Sequence, residues 1–140
     1  MKFASVLMAS LLLVGCASMK AHHVSDEATL KTEVPANYKA AVAEHIRSVL
    51  KDPYSVRDAG ISKPFIVPDF VLGRVPVVCL RLNAKNSFGA YTGIEARALG
   101  FRNGSVSNIT FTSSLCDSNT VYEPLRELED RALNADARGR

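Results

Sequence analysis

The chain has 140 residues and a formal net charge of +3. This length is enough for one domain and too short for two. Acidic and basic side chains are interspersed along the sequence, and no basic stripe gives a reason to expect nucleic-acid binding.

The N-terminal segment has the pattern of an export signal. One positive charge, Lys2, precedes an apolar run from Phe3 to Val14 that is interrupted only by two serines. The run is shorter than the roughly 20 residues that a membrane-spanning helix needs. It fits the apolar region of about 7–15 residues in a secretory signal. We therefore predict that residues 1–15 form a signal peptide that is removed during export.

The last four residues of this segment, Leu13-Val14-Gly15-Cys16, resemble the lipobox of bacterial lipoproteins. The resemblance implies that a diacylglycerol is transferred to the Cys16 thiol, that the chain is cleaved before Cys16, and that the new amine is acylated. Several acyl chains anchor a protein stably to a membrane. Ala17 and Ser18 follow the cysteine, which by the same family rule implies the outer membrane. The alternatives are an ordinary signal peptide with a chance cysteine and a short membrane anchor.

Residues 16–34 show no sustained apolar period, which predicts a flexible lipidated tether. The tether leads to a single periplasmic domain at residues 35–140. His22 and His23 are adjacent within it, but no cysteine is near and only two acidic residues accompany them, so they are interpreted as solvated polar residues. Neither a metal nor another cofactor is predicted.

The clearest helix spans the stretch that begins at Tyr38 and stops before Pro53, because the residue before a proline avoids the helical region. His45 lies at the edge of its apolar stripe, where a packed or half-exposed histidine is more common than a catalytic one. The stripe recurs at three- and four-residue steps and consists of Tyr38, Val42, His45, Ile46, Val49 and Leu50.

From Ser55 onward the period becomes that of β-strands. A first strand is predicted at residues 55–62, and the next segment contains Pro64 and Pro68, so it is an apolar connection or an edge strand. Residues 74–85 form the strongest predicted strand. Its alternation places Val77, Cys79 and Arg81 on one face and Val78, Leu80 and Leu82 on the other, which should face the helix.

Two further strands are predicted on either side of Asn103-Gly104. This dipeptide is the strongest short-range signal for a two-residue hairpin turn, because both central residues of a type I′ turn take positive φ. Near the C-terminus, Leu125, Leu128 and Leu133 resume a helical period. The predicted fold class is α+β, with an N-terminal helix packed on an antiparallel sheet of about four strands and a short C-terminal helix.

If Cys16 carries lipid, Cys79 and Cys116 are the two remaining cysteines. An even pair in an oxidising periplasm indicates a disulfide. The alternative is two buried free thiols in different parts of the core, because the sequence does not supply the Cα separation that a disulfide requires.

Two motifs together carry a resemblance to a known group of proteins. They are LKDPYS at residues 50–55 and NAKNSFGAYTG at residues 83–93. They resemble small proteobacterial lipoproteins and exported proteins in which a helix ends in a DP-x-S turn and a strand runs into an N-A-K-N-x-F/Y-G-G-Y-x-G segment. The resemblance covers residues 38–112 and implies a shared fold, but the group has no assigned activity. Ala90 stands where the pattern has a second glycine, so the turn requires a negative φ there.

Residues 83–93, hereafter the 83–93 loop, form the candidate functional site. The segment is longer than the roughly 2–5 residues of most hairpin loops, and it combines two aromatic rings with amide and small side chains, as recognition loops do. The alternative is a purely mechanical turn in which asparagines satisfy backbone groups and both rings are buried. The candidate partner-binding residues are Lys85, Asn86, Phe88 and Tyr91.

No G-x-S-x-G, H-E-x-x-H, P-loop or dinucleotide motif is present, and His45 is the only histidine in residues 35–140. We therefore predict a non-enzymatic accessory protein that faces the periplasm and binds another envelope protein or a cell-wall component. Binding would use a sheet edge or the 83–93 loop, and a flat apolar patch is expected. The alternatives are a periplasmic inhibitor of a hydrolase, with a protruding loop and a charged tip, and a weak enzyme with a pocket at His45.

Overall fold

The computed structural model describes residues 25–69, 71–110 and 113–130, without the side chains of residues 108–110 and 113. The predictions for the signal segment, for Cys16 and for the adjacent His22 and His23 lie outside these residues, as does the prediction for Leu133.

Two helices precede the sheet. They are α1, Asp26–Glu33, and α2, Tyr38–Val49. The predicted helix is therefore confirmed as α2, which buries Val42, Ala43 and Ile46. The predicted stripe is wrong at Val49, the last helical residue, which is 53% exposed. Leu50, which follows the helix, packs against the core as predicted.

Helix α1 shows that the prediction of a flexible tether through residue 34 is wrong. None of its eight residues is buried, so it has no apolar stripe that a sequence pattern could reveal. It packs against the sheet and is held there by polar contacts. Asp26 pairs with Arg74, while the carboxylate of Glu33 accepts a hydrogen bond from the Asn103 N–H. The backbone carbonyl of Glu33 accepts another from the Gly104 N–H, at 3.1 Å.

The fold class is α+β as predicted, but the antiparallel sheet has six strands instead of about four. The strand order is β5-β4-β3-β1-β6, and β2 pairs with β3 beside β1. The short C-terminal helix, α3, covers residues 126–130. The strands are β1 Arg57–Ile61, β2 Phe65–Asp69, β3 Gly73–Asn83, β4 Glu95–Arg102, β5 Ser105–Thr110 and β6 Glu123–Pro124.

Strand β3 separates two apolar clusters, and its predicted alternation is confirmed. One face of β3 packs against α2 and also contacts Phe101, Leu125 and Leu128. The other face packs with Cys116 and is covered by residues that follow β5. The residues of β3 on the first face are Val78, Leu80 and Leu82, and those on the second are Val75, Val77 and Cys79.

Cys79 and Cys116 form a disulfide, with Cα atoms 5.5 Å apart. This separation lies within the range that a disulfide requires. The bond joins the centre of β3 to the segment that covers the second cluster, and both cysteines are buried. The alternative of two separate free thiols is therefore wrong.

The predicted hairpin between β4 and β5 is confirmed. Asn103 and Gly104 both have positive φ, at 52° and 74°, and the two strands pair directly on either side of them. Glycine relieves the strain of the second turn position because it has no Cβ.

Strand β1 is interrupted by a bulge at Asp58, whose φ is 55°. The C-terminal residues compensate for the broken ladder. The Ala59 N–H donates to the Glu129 carboxylate at 2.6 Å, and the Ala59 carbonyl accepts a hydrogen bond from the Leu125 N–H at 3.0 Å. Leu125 and Leu128 are completely buried, which ties α3 to the first cluster.

The outer strands of the sheet are poor templates for pairing with another strand. β2 contains Pro68 and follows Pro64, and each proline removes a backbone donor. The ladder between β4 and β5 shifts register between Leu99 and Gly100, and β6 has only two residues. Natural sheets use such features to limit edge-to-edge association.

Candidate functional site

The 83–93 loop connects β3 to β4 and is closed by its own backbone. Lys85 and Tyr91 form an antiparallel bridge, and inside it the Asn86 N–H donates to the Ala90 carbonyl at 2.9 Å. A tighter turn lies within this frame, where the Gly89 N–H donates to the Asn86 carbonyl at 3.0 Å and Gly89 has a φ of 78°. Ala90 is not among the residues with positive φ, which meets the condition predicted for this alanine.

The side chain of Asn86 holds the tip of the loop from within. Its Oδ1 accepts hydrogen bonds from the Phe88 N–H at 2.9 Å and from the Ala90 N–H at 3.1 Å. Asparagine here satisfies backbone groups of the turn, which is the mechanical role predicted as the alternative. It also fixes the backbone on both sides of Phe88, so the mechanical role and a recognition role are compatible here.

Ser55, in a 3₁₀ turn at Pro53–Ser55, supports both ends of the loop. Its hydroxyl donates to the Asp52 carbonyl at 2.8 Å and accepts from the Lys85 N–H at 3.0 Å. The Tyr91 hydroxyl donates to the Ser55 carbonyl at 2.9 Å. The DP-x-S turn and the loop are thus one hydrogen-bonded unit, which gives a physical reason for the two motifs to occur in the same chain.

The ring of Tyr91 is a platform for two cations. The guanidinium carbon of Arg57 lies 4.4 Å from the ring centroid, and the Lys85 ammonium nitrogen lies 5.7 Å from it. Both distances are within the range of cation–π attraction. Neither cation forms an ion pair with a carboxylate among the described residues, so both remain available to an anionic group on a partner.

The two aromatic rings of the loop have different environments. Tyr91 is half-buried, whereas Phe88 is 93% exposed, and residues 85–90 are all exposed. The reading in which both rings are buried under the loop is therefore wrong for Phe88. Phe88 is instead an exposed ring beside Lys85 and Asn86, as a recognition role requires.

Other exposed apolar side chains lie at the same end of the sheet. Val49 ends α2, Tyr54 precedes the serine that supports the loop, and Ile94 follows the loop directly; all three are more than half exposed. Together with Phe88 they give this end of the molecule four exposed apolar side chains. Such clusters on a single chain tend to mark interaction sites.

A shallow cavity of about 140 Å³ adjoins the loop. Leu50, Leu82 and Ala84 contribute its apolar lining, and Lys85 and Arg97 are among its polar residues. The cavity is large enough for one side chain of a partner and is not a deep cleft. The cavity lies between the loop residues Lys85 and Asn86 and Leu50, the residue that follows α2.

A larger cavity of about 440 Å³ lies at the β1–β2 corner and includes Phe65 and Val121 in its lining. Glu123 also lines it and lies 2.7 Å from the Lys39 ammonium. Their hydrogen bond lowers the pKa of the Glu123 carboxyl and raises the pKa of Lys39. Because each charge satisfies the other, this pair ties α2 to β6 and does not supply a free acid or base.

His45 lines neither of these cavities. It is half-buried on α2, in the position predicted at the edge of the apolar stripe. Within the described part of the chain, no three His, Cys, Asp or Glu side chains are grouped as metal ligands.

Sequence reasoning selected Lys85, Asn86, Phe88 and Tyr91, and the structure brings all four together in one loop. It did not find Ser55 or Arg57 as parts of the site. The DP-x-S motif contains Ser55 and could have indicated it. However, Ser55 lies 30 residues before its hydrogen-bond partner Lys85, so no local pattern connects the two.

No helix among residues 25–69, 71–110 and 113–130 is long and apolar enough to cross a membrane. Comparison with protein-family models, with curated proteins and with solved structures gives no match to this chain.

Proposed function

We propose that this chain is a lipid-anchored, non-enzymatic binding protein of the bacterial outer membrane that faces the periplasm. Cys16 carries the lipid, and the 83–93 loop binds another envelope protein. The resemblance to small proteobacterial lipoproteins supports the anchor, since the lipobox and the two internal motifs occur together. The loop geometry supports the binding role.

The observation that carries the proposal is the 93% exposure of Phe88 on a loop whose backbone is fixed. An exposed phenyl ring is unfavourable in water, and burying one against a partner contributes about 1.5–3 kcal/mol. Because Asn86 and Ser55 already order the loop, the loop would lose little conformational entropy when it binds a partner. Arg57 and Lys85 lie beside the ring of Tyr91 and would favour carboxylates on the rim of the partner's pocket.

The loop is a better binding surface than the sheet edges, which were the other predicted possibility. Pro68 interrupts β2, a register shift interrupts the pairing of β5 with β4, and β6 is too short to accept a long strand. An apolar anchor on a rigid loop is also typical of residues that dominate binding energy.

The alternative of a hydrolase inhibitor receives partial support. Residues 85–90 are exposed as an inhibitory loop requires. However, the residues at the tip, Asn86 to Ala90, carry no charge, whereas the predicted inhibitor has a charged tip. An assembly role was expected to show a flat apolar patch, and the apolar residues around the loop resemble such a patch more closely.

The binding role is tested with Phe88→Ala and a matched control, Val121→Ala, which removes an exposed apolar side chain elsewhere on the surface. A photo-crosslinking residue at Ser87 in both variants reports capture of envelope proteins in intact cells. We expect Phe88→Ala to lose selective crosslinks while its melting temperature stays unchanged, and Val121→Ala to retain them. Equal crosslinking in both variants would contradict the binding role of the 83–93 loop.

The anchor is tested separately by the intact mass of the protein purified from membranes. We expect the loss of residues 1–15 and the addition of acyl chains at Cys16. A Cys16→Ala variant that remains cleaved and membrane-bound would contradict lipid attachment at this residue.

A further inference from the structure

The two ends of β3 carry different surfaces. Asn83, at its C-terminal end, leads into the 83–93 loop. Arg74, near its N-terminal end, pairs with Asp26 at the first turn of α1. The nine steps between these two β3 residues span roughly 30 Å in an extended strand. The chain therefore enters the domain at the end of the sheet opposite the loop.

The turn between β2 and β3 lies at this entry end, and its described residues are apolar. Val71 is 89% exposed and Leu72 is 36% exposed. Turns are normally built from glycine, proline, asparagine, aspartate and serine. Two aliphatic side chains at a solvent-facing turn therefore need a reason other than the turn itself.

Two backbone donors of this turn are paired within the turn itself. One carboxylate oxygen of Asp69 accepts hydrogen bonds from the Val71 N–H at 2.8 Å and from the Leu72 N–H at 2.7 Å. These bonds lower the pKa of the Asp69 carboxyl, which keeps it ionised and bonded to the turn. An apolar environment tolerates a backbone whose donors are paired and penalises one whose donors are free.

We propose that Val71 and Leu72 insert into the interface of the same membrane that holds the lipid anchor. The inference rests on the proposed lipidation of Cys16. Nine residue steps separate Cys16 from Ser25, so the acylated end lies at most about 30 Å from the start of α1. Because α1 begins beside Arg74, the anchor holds the turn near the bilayer.

The neighbouring charges fit a position at the level of the lipid headgroups. Arg74 is paired with Asp26 and remains partly exposed, as basic side chains at membrane interfaces commonly are. Lys31 and Glu27 pair with each other on α1. No described carboxylate other than Asp69 lies within the turn, and its bonded oxygen is directed at the turn amides.

A bilayer contact at this end orients the whole domain. The 83–93 loop then points away from the membrane, because the length of β3, roughly 30 Å between Arg74 and Asn83, separates it from the turn. The partner of the loop is therefore a protein that lies off the anchoring membrane, and the lipid surface itself is excluded as its ligand. A single flexible anchor without the turn would leave both ends of the domain free to reach the bilayer.

The test uses the full, lipidated protein in phosphatidylethanolamine vesicles that contain some phosphatidylglycerol. With Cys16 acylated and the other two cysteines bonded, an introduced cysteine is the only free thiol. An environment-sensitive fluorophore is attached at Val71→Cys, at Ser87→Cys in the loop, or at Val121→Cys, a control at a similarly exposed valine. Spin-labelled lipids near the headgroups then report contact with the bilayer by quenching.

We expect blue-shifted, strongly quenched emission at position 71 and water-like, unquenched emission at positions 87 and 121, with all three proteins melting like the parent. Water-like emission at position 71 would overturn the inference, as would quenching at position 87 equal to that at position 71. A protein without acyl chains would overturn it together with the proposed anchor. Loss of envelope crosslinks in Phe88→Ala tests the binding role alone, so the two failures are distinguishable.

Discussion

Two turns at opposite ends of the sheet use the same device and differ in how they are supported. In the β2–β3 turn, Asp69 accepts the N–H groups of Val71 and Leu72. In the 83–93 loop, Asn86 accepts the N–H groups of Phe88 and Ala90. Each turn therefore presents an apolar side chain on a backbone in which one side-chain oxygen pairs two N–H groups.

The difference is in the surroundings. The loop is fastened to a second segment through Ser55, which bonds to the chain at both Lys85 and Tyr91. The β2–β3 turn has no comparable support among the described residues, and α1 adds an exposed ion pair beside it through Arg74. A loop that must fit one partner surface gains from rigidity, whereas a turn that enters a disordered lipid interface needs only satisfied donors.

The disulfide lies between the two ends of the sheet, at the centre of β3, and its loss should affect both turns. Replacing Cys79 and Cys116 together with alanine removes a link across 37 residues, for which loop entropy predicts about 3–4 kcal/mol of lost stability. Chemical denaturation checks this value. We expect amide exchange to accelerate at both turns in parallel, and a change confined to one end would show that the sheet does not unfold as one unit.

Ser55→Ala should affect the 83–93 loop and leave the β2–β3 turn at the other end of the sheet unchanged. The hydroxyl is nearly buried, and its loss leaves the Lys85 N–H without its acceptor, which costs about 1–3 kcal/mol. By NMR we expect amide exchange to become faster at Lys85 and Phe88 and to stay unchanged at Val71.

Ser48→Ala is the matched control for this substitution. Its hydroxyl also donates to a backbone carbonyl three residues earlier, but the residue is exposed on α2. We expect a change in stability within about ±0.5 kcal/mol. If both serines give the same small effect, the DP-x-S turn does not support the loop.

Much of the fold was predictable because its signals are local and periodic. The 3.6-residue period identified α2, the alternation of β3 identified both faces of the sheet, and Asn103-Gly104 identified the hairpin. The candidate residues of the loop were also predictable, since an aromatic pair among amides in a long connection is visible in sequence.

The parts that sequence reasoning missed depend on contacts between distant residues. Helix α1 buries none of its residues, so its helical structure leaves no apolar period and its docking depends on Arg74 and the β4–β5 turn. Strand β6 has two residues and pairs with a bulged strand. Neither feature produces a repeating pattern, because each exists only once the rest of the sheet has formed.

Acid should loosen the β2–β3 turn and leave the loop intact. The two backbone hydrogen bonds lower the pKa of Asp69, so its contribution to stability is complete above the ordinary aspartate pKa and is lost as pH falls through the lower, folded value. Asn86 does not titrate. As the pH falls, we expect the amides of Val71 and Leu72 to lose their protection from exchange before the amide of Phe88 does.

Asp69→Asn tests the origin of this pH dependence. The amide oxygen can still accept both N–H groups but carries no charge, so the turn should form with protection that no longer varies with pH. Titration of the amide chemical shifts gives the measurement. Simultaneous loss of protection at Val71 and Phe88 in the parent protein would indicate global acid unfolding instead.

The smallest expected effect comes from Arg74→Ala, which removes the ion pair with Asp26. Exposed pairs contribute about 0.2–1 kcal/mol, so global stability should barely change, while amide exchange in α1 should accelerate. Raising the salt concentration should reproduce this in the parent, because the screening length falls from about 10 Å at 0.1 M to about 3 Å at 1 M. Arg97→Ala is the control, because it removes a similarly exposed pair with Glu95 and should leave amide exchange in α1 unchanged.

The contradicting outcome is that the α1 amides exchange at one rate in the parent, in Arg74→Ala and in Arg97→Ala, at both salt concentrations. In that case the Glu33 contacts with the β4–β5 turn hold the helix alone, and the ion pair of Arg74 with Asp26 does not orient the entry end of the domain.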